Sequence, residues 1–410
     1  METPPVALSR VSDSRPVLPA GFKAGALHCG IRVRKQKLDL GLIVASQAFP
    51  AAAIFTKNQL TGAHVGVCRD SLKKSGGKAR ALLVNSGNAN CSTGAEGIED
   101  ARRVQAATAE LVGCPPEQVL FMSTGVIGAR LPVERILDAL PALSSHVSER
   151  GLGDFAQAIM TTDLVPKVRT LAVEDRSGPP FRVTGVAKGS GMIHPNMATM
   201  LAFLLTDGPP MKDARTALRA LAARSFHRLT VDGDTSPNDT LLLWSSRAPQ
   251  PTASTATTEE LASRALLEVS RELCRVIAAD GEGATRLVTV QVHGAPSEDA
   301  AAHVARTIAT SPLTKTAVHG RDPNWGRILA AAGRSGVEFD PDRARVWIGD
   351  ADVFSNGKPH PENEPAAHLH LLGNHEVILG IDLAAGSGSA EAWTCDFSAD
   401  YVRINADYRS

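Results

Sequence analysis

The apolar residues of this chain fall in short runs that Gly, Pro or polar residues interrupt, as at 40–45, 51–55, 81–84 and 119–122. Runs of this length bounded by turn-forming residues are typical of buried β-strands. The longest of them, such as 200–205, are far too short to cross a bilayer. The sequence therefore predicts a sheet-containing protein without transmembrane helices.

Helical periodicity accompanies these runs in both halves of the chain. The pattern predicts a helix over 97–112 that ends at Gly113, and a helix over 257–279 that begins with the capping-box pair Thr257 and Glu260. Further predicted helices are 209–226 and 298–309, and further predicted strands are 287–292, 346–348 and 377–383. Strands clustered with helices, rather than strictly alternating with them, indicate an α+β protein built in layers.

Charge and composition exclude several classes of protein. The 43 Lys and Arg residues balance 43 Asp and Glu residues, so the chain has no net field with which to capture a nucleic acid or an anionic membrane. Six scattered cysteines fit neither a zinc ligand set nor a disulfide framework, and we expect a reducing, cytoplasmic setting. Residues 1–16 lack the apolar stretch of a targeting signal and are interpreted as a flexible N-terminal arm.

Common cofactor and metal motifs are absent from the sequence. Three Gly-x-Gly pairs, at 189–191, 281–283 and 386–388, lack the third glycine of a dinucleotide fingerprint. His368 and His370 have a spacing that metal ligands can adopt, but no partner cluster accompanies them, and we interpret them as surface or packed histidines. We therefore predict no metal site.

One segment has an unusual character. Residues 188–207 read KGSGMIHPNMATMLAFLLTD: a glycine-rich turn and a Pro-Asn pair lead into an apolar run that opens at Thr199. Small residues allow a close approach of backbone and substrate, and a threonine at such a junction can hold its hydroxyl toward a cleft. The alternative is a loop followed by a buried strand, in which Thr199 is simply a β-branched residue.

This segment closely resembles the signature of the ornithine acetyltransferase (glutamate N-acetyltransferase) family of arginine biosynthesis. The resemblance extends over nearly the whole chain. It recurs in GFKA (21–24), FTKN (55–58), LVNSGNAN (83–90), STGVIG (123–128), MTTD (160–163), VDGDTS (231–236), DGEGAT (280–285), DPNWGR (322–327) and YVRINADY (401–408).

The resemblance implies a fold and a maturation step. The fold is an α+β, layered α/β/β/α-type sandwich with a terminal-threonine nucleophile, together with a second α/β domain in the C-terminal half. Self-cleavage between Ala198 and Thr199 would separate an alpha chain, 17–198 after the arm, from a beta chain, 199–410. Two copies of each chain would form a heterotetramer.

The resemblance also implies a mechanism. Thr199 would take the acetyl group from N2-acetyl-L-ornithine and pass it to L-glutamate in a ping-pong reaction. Its own α-amine, with a reference pKa of about 7.7–8.0, would act as the base. The oxyanion would be held by the hydroxyl of Thr124 and the backbone N–H of Gly125.

Substrate binding is assigned in the same way. Both substrates carry an α-carboxylate, which calls for a cation and several polar donors. Glu282 is expected near the ornithine ammonium or the catalytic amine, and Thr161 competes with Thr162 for one role. The implied substrate-binding residues are Thr162, Lys188, Thr199, Glu282, Asn405 and Ser410.

Three alternatives accompany this assignment. No cofactor is required, although acetyl-CoA is a candidate second donor in a bifunctional enzyme. An aminopeptidase or amidohydrolase with a terminal nucleophile would release the acyl group to water instead. A non-catalytic amino-acid-binding protein would need neither chain cleavage nor the Thr199 hydroxyl.

Overall fold

The computed structural model describes residues 8–10, 16–32, 37–174, 179–194, 200–247 and 256–407. For 8–10 and 256–258 it describes the backbone alone. The chain divides into two compact units. The first contains Met1–Gly189, Asn196–His227 and Thr235–Leu273, and the second contains Ser190–Pro195, Arg228–Asp234 and Cys274–Ser410. Among the described residues, none of the helices combines the length and apolar character needed to cross a bilayer.

The first unit carries a nine-stranded sheet system in the order β1-β6-β7-β8-β9-β3-β4-β5, with β2 paired to β3. Its strands are β1 (Leu8–Arg10), β2 (Phe22–Leu27), β3 (Leu40–Phe55), β4 (Lys78–Asn88), β5 (Val119–Val126), β6 (Lys167–Val173), β7 (Phe181–Lys188), β8 (Leu201–Thr206) and β9 (Thr240–Ser245). Its helices are α1 (Ala63–Lys74), α2 (Gly94–Val112), α3 (Val133–Ser145), α4 (Leu152–Ala158), α5 (Ala214–Ala223) and most of α6 (Ala256–Ala279).

Strand β3 belongs to two sheets. Its first part pairs with β2 and β4, and its last part pairs with β9. The sequence prediction of two separate strands, 40–45 and 51–55, is therefore wrong. Pro50 is accommodated because it lies opposite Lys78, beyond a register shift between Val44 and Phe49.

The first unit is layered. Phe22 on β2 packs edge-on against Trp244 on β9, with ring centroids 5.0 Å apart, so one core lies between the two sheets. A second core lies between the β4 and β5 side and helices α2 and α3. On β7, a Cβ added to Gly185 would meet Val269 and Leu273 of α6, so α6 covers the other sheet closely. These layers confirm the predicted α/β/β/α sandwich.

The second unit is a smaller α/β domain. Its strands are β10 (Leu287–Ala295), β11 (Arg345–Ile348), β12 (Ala351–Ser355), β13 (Lys358–Pro359), β14 (Glu376–Asp382) and β15 (Gly388–Cys395). Its helices are α7 (Glu298–Ala309), α8 (Pro312–His319), α9 (Trp325–Gly333), α10 (Glu364–Gly373) and α11 (Ala399–Ala406). The sheet order is β13-β12-β11-β14-β10-β15, and β10 and β14 run parallel. The predicted second domain is confirmed.

The helices and strands agree with some of the predicted bounds and differ from others. Helix α7 has the predicted bounds, and the Ser297 side chain accepts a hydrogen bond from the Ala300 N–H at its start. Helix α2 ends at Gly113 in the left-handed conformation, as predicted. Helix α5 is shorter than the predicted 209–226. Leu8–Arg10 forms β1 against β6, so a flexible arm does not describe these three residues.

Candidate active site

Thr124 and Gly125 lie near the end of β5, beside β4. The parallel register places Thr124 opposite Ser86 and Gly125 opposite Gly87. Gly125 has a φ of +135°, and a Cβ built on it would collide with the backbone of Gly87. This position therefore requires glycine, and its backbone follows a path that a residue with a side chain would not adopt.

Lys188, the last residue of β7, contacts Thr124. The Nζ of Lys188 donates a hydrogen bond to the Oγ1 of Thr124 at 3.2 Å. Both residues are buried, with 8% and 7% of their surface exposed. Two residues that the resemblance assigned to different tasks, carboxylate binding and oxyanion stabilisation, are therefore in direct contact.

A buried ion pair that the sequence analysis missed lies beside Lys188. The Nζ of Lys167 and the Oδ1 of Asp163 are 2.6 Å apart, and neither side chain is exposed. Asp163 also accepts hydrogen bonds from the N–H groups of Gly189, at 2.7 Å, and Thr161, at 2.8 Å. Asp163 thus connects the 161–163 turn to the residue that follows Lys188.

The charges around this pair set its protonation. Burial alone would raise the pKa of Asp163, but the ammonium groups of Lys167 and Lys188 outweigh it and hold that pKa well below its usual range. Burial lowers the pKa of Lys188, the carboxyls of Asp163 and Asp239 oppose this effect, and the like charges of Lys167 and Arg32 add to it. Asp163 is therefore an ionised carboxylate at neutral pH.

Asp239 is a second buried carboxyl near Lys188 that the sequence analysis did not assign. It immediately precedes β9, and its Oδ2 has no hydrogen-bond partner in the described part of the chain. Complete burial raises the pKa of Asp239 well above its usual range, although Lys188 and hydrogen bonds from Ser236 oppose the shift.

Thr161 and Thr162 lie in the turn between α4 and β6, and both are half-buried. The guanidinium of Arg32 donates to the backbone oxygens of Met160 and Thr161, which fixes the course of this turn. The Thr162 hydroxyl has no hydrogen-bond partner among the described residues. It is therefore available to a ligand, whereas the backbone N–H of Thr161 is used by Asp163.

Asparagine side chains support the end of β5. Asn238 donates through Nδ2 to the carbonyl oxygen of Ser123 at 2.8 Å and to that of Ala89 at 2.5 Å. Asn88 donates to the carbonyl oxygens of Ala129 and Arg130. These amides bind backbone carbonyls near the end of β5 and in the neighbouring loops.

In the second unit, Glu282 and Asn405 are brought together. The Nδ2 of Asn405, on α11, donates to Glu282 Oε2 at 2.8 Å, and Glu282 is buried with 7% of its surface exposed. The Glu282 N–H donates to the Ser190 carbonyl at 3.0 Å. A Cβ added to Gly191 would collide with the Glu282 carboxylate, which would then have to move.

Asp232 holds the 190–194 segment of the second unit. Its carboxylate accepts hydrogen bonds from the N–H groups of Met192, at 2.6 Å, and Ile193, at 2.9 Å. Met192 has a φ of +55°, a conformation that a non-glycine residue adopts only at a cost in free energy. The Tyr401 hydroxyl also donates to Asp232, at 3.3 Å. The segment that leads toward the predicted cleavage point is therefore fixed.

Three assigned residues lie outside the described residues. Ala198 and Thr199 fall within 195–199, and Ser410 falls within 408–410. On the C-terminal side of that junction, the Met200 carbonyl accepts a hydrogen bond from the Thr240 N–H at 2.9 Å. Within the described residues, no group of three or more His, Cys, Asp or Glu side chains is arranged to hold a metal ion.

The chain is similar to a known protein family and to curated relatives. A family model described as the ArgJ family matches residues 23–410. A curated relative from Parasynechococcus marenigrum (strain WH8102), named arginine biosynthesis bifunctional protein ArgJ, is 45% identical over 391 residues, which cover 95% of this chain and 94% of the relative. A relative of the same name from Dehalococcoides mccartyi (strain CBDB1) is 45% identical over 402 residues, which cover 97% of each chain.

Two solved structures are also similar. The arginine biosynthesis bifunctional protein argJ from Bacillus halodurans is 38% identical, with a TM-score of 0.44, over 47% of this chain and 99% of that one. Ornithine acetyltransferase from Mycobacterium tuberculosis, solved in complex with ornithine, is 32% identical, with a TM-score of 0.43, over 47% of this chain and 100% of that one. Because the family model spans 23–410 and the curated relatives align over nearly their whole length, the chain belongs to the ArgJ family.

Proposed function

We propose that this chain transfers the acetyl group of N2-acetyl-L-ornithine to L-glutamate through an acetyl ester on Thr199. The observation that carries the proposal is the match to the ArgJ family over 23–410, a range that contains every residue assigned here. The contact between Lys188 and Thr124 supports it, because that contact joins a cation to an oxyanion donor.

In the first half-reaction, the Thr199 hydroxyl oxygen attacks the acetyl carbonyl carbon and its proton passes to the Thr199 α-amine. Thr124 and Gly125 donate hydrogen bonds to the resulting oxyanion. The carbon–nitrogen bond then breaks, and the ornithine nitrogen leaves with that proton. The products are ornithine and the acetyl ester of Thr199.

In the second half-reaction, the α-amine of glutamate attacks the ester carbonyl. The attacking nitrogen gives a proton to the Thr199 α-amine, which passes it to the Thr199 oxygen as the carbon–oxygen bond breaks, and N-acetylglutamate leaves. No cofactor takes part. The residues proposed to bind the substrates, from the family resemblance, are Thr162, Lys188, Glu282, Asn405 and Ser410.

The free α-amine of Thr199 exists only after the chain is cut, so the proposal includes self-cleavage between Ala198 and Thr199. The Thr199 hydroxyl attacks the Ala198 carbonyl, an N-to-O acyl shift gives an ester, and water hydrolyses it. We further propose that two alpha and two beta chains assemble as a heterotetramer in the cytoplasm.

Denaturing mass spectrometry of the purified protein tests the cleavage. The wild type should give fragments 1–198 and 199–410. Thr199→Ala should remain a single, inactive chain, whereas Thr199→Ser should still be cut. An uncut Thr199→Ala protein that transfers acetyl groups would overturn the assignment of the nucleophile. The native mass of the wild type reports the assembly.

Acceptor and donor assays test the reaction. Varying N-acetylornithine and glutamate together should give parallel double-reciprocal lines, because the two substrates bind in turn. Release of acetate without transfer to glutamate would favour the amidohydrolase alternative.

A second donor is favoured by one observation, the word bifunctional in the names of both curated relatives. We propose acetyl-CoA as that donor, following the resemblance. Formation of N-acetylglutamate from glutamate and acetyl-CoA alone tests this point. Its absence would leave only the transfer from N-acetylornithine.

A further inference from the structure

The hydrogen bond between Lys188 and Thr124 determines where the Thr124 hydroxyl can point. A threonine hydroxyl has one hydrogen and two lone pairs, and an ammonium can only donate. Lys188 therefore occupies a lone pair of Oγ1, and the hydroxyl hydrogen must point elsewhere. In the described part of the chain no atom accepts that hydrogen. It is free to donate to an oxyanion.

This orientation depends on Lys188 staying charged and in place. Among the described residues, the charged or titratable groups that act on it are Asp163, Asp239, Lys167 and Arg32. Two of them repel the ammonium, and of the two carboxyls Asp163 attracts it more strongly. Asp163 is thus the carboxylate that does most to keep Lys188 charged.

Asp163 is itself fixed from three directions. Lys167 donates to Oδ1 at 2.6 Å, the Gly189 N–H donates to the same oxygen at 2.7 Å, and the Thr161 N–H donates to Oδ2 at 2.8 Å. The Gly189 contact also holds the backbone next to Lys188. Asp163 therefore controls both the charge and the position of the lysine.

We propose that Asp163 is a positioning residue for acetyl transfer, which acts through Lys188 to aim the hydroxyl of Thr124 at the oxyanion. This inference rests on the proposed function above and adds to it a residue that touches no substrate. Lys167 serves in the same device by holding the Asp163 carboxylate.

The first test measures the pH dependence of kcat. Asp163→Asn should lower kcat by about tenfold, because the oxyanion donor is used mainly in the transition state. The alkaline limb of the Asp163→Asn profile, along which kcat falls as pH rises, should move to lower pH, because Lys188 loses the anion that stabilises its charged form. Lys167→Met removes a like charge, so its alkaline limb should move to higher pH.

If Asp163 and Lys167 had only structural roles, their variants would not shift the alkaline limb of the kcat profile in opposite directions. Shifts in the same direction, or an unchanged limb in Asp163→Asn, would overturn the proposal. Asp163→Asn leaves a buried ammonium without its partner and could prevent folding. In that event the double variant Asp163→Asn with Lys167→Met, which removes both charges, should show the same loss of kcat. Unchanged kcat in this double variant would equally overturn the proposal.

A double-mutant cycle tests the route through Thr124. In a Thr124→Ala background there is no hydroxyl to aim, so Asp163→Asn should lower kcat by less than about twofold further. Fully additive losses would contradict the proposal. Glu134→Gln is the matched control, because it breaks an exposed ion pair to Arg103 in the same unit and should leave kcat and its pH profile unchanged.

The wild-type assay separates the two proposals. A wild type that transfers no acetyl group contradicts the proposed function and, with it, this inference. A wild type that transfers acetyl at the same rate as Asp163→Asn contradicts this inference alone.

Discussion

The Nζ of Lys188 donates a hydrogen bond to the Oγ1 of Thr124 across 64 positions of sequence, at 3.2 Å. Lys188 ends β7 and Thr124 lies on β5, so the contact joins the ends of strands from the two stacked sheets. The two side chains therefore depend on the packing of the sandwich, and changing either one should affect the same chemistry in different ways.

Removing the hydroxyl of Thr124 should slow the reaction without preventing binding. We expect Thr124→Ala to lower kcat on the order of a hundredfold, because an oxyanion donor acts mainly in the transition state. Ornithine affinity, measured by calorimetry, should change little. Thr316→Ala is a suitable control, since Thr316 is exposed on α8 and, among the described residues, its hydroxyl bonds only to the Leu313 carbonyl. An unchanged kcat with a raised KM would contradict the assignment.

Removing the ammonium of Lys188 should impair both half-reactions. A cation that serves one shared site acts on donor and acceptor alike, so Lys188→Ala should lower kcat/KM for N-acetylornithine and glutamate by similar factors, about tenfold or more. Steady-state kinetics with each substrate varied in turn measures this. Lys73→Ala, at the exposed end of α1, should have no effect. A defect confined to one substrate would show that the site is not shared.

A methyl group on Gly191 should disturb Glu282. The added Cβ would collide with the Glu282 carboxylate and push it away from Asn405, so we expect Gly191→Ala to lower kcat/KM by about tenfold or more. Gly66→Ala offers a contrast, because it lies in α1 with no atom within 4 Å of the added Cβ and should be fully active. Full activity of Gly191→Ala would mean that the Glu282 position is unimportant.

His64 should make the stability of the protein depend on pH. Burial lowers its pKa from 6.5 to about 4, although the hydrogen bond to the Asn238 carbonyl opposes the shift. Between these values the unfolded chain binds a proton that the folded protein excludes, so stability falls as pH drops from 6.5 toward about 4.

The measurement is the thermal midpoint at two pH values. At about pH 5 the His64 contribution should cost on the order of 2 kcal/mol relative to about pH 7. His64→Gln, whose amide can still donate to the Asn238 carbonyl, should lose less stability over the same interval. Equal losses in wild type and variant would assign the pH dependence to other groups.

Local patterns in the sequence predicted some elements closely, and the structure explains why. Helix α7 has its cap, its apolar face and its end encoded within its own residues, so its bounds follow from the sequence. Strand β3 differs, because its continuity past Pro50 depends on a register shift against β4. No pattern within 40–55 contains that information.

The candidate site, like the fold, could be predicted from the sequence only in part. Thr124, Lys188 and Glu282 were assigned through the family resemblance, yet their contacts depend on distant segments. Asp163 and Asp239 were missed because a carboxylate in a loop normally lies in solvent. Their pKa shifts run in opposite directions, because Lys167 and Lys188 outweigh the effect of burial at Asp163, whereas burial dominates at Asp239. The four-residue spacing of Asp163 and Lys167 would permit an ion pair on a helix. These residues do not lie in a helix, however, so the spacing alone did not predict the pair.

The strand order β7-β8-β9-β3 has a consequence for how this protein can be made. Strands β8 and β9 come after the proposed cut, and they lie between β7 and β3, which come before it. The uncut chain reaches this interleaved arrangement as one tethered molecule, whereas two separated fragments would have to find each other first. The fold would therefore be harder to regain after cleavage than it was to form before it. The mature protein, once unfolded and diluted, should recover far more slowly than its uncut Thr199→Ala counterpart, and its persistence would then depend on the rate of unfolding.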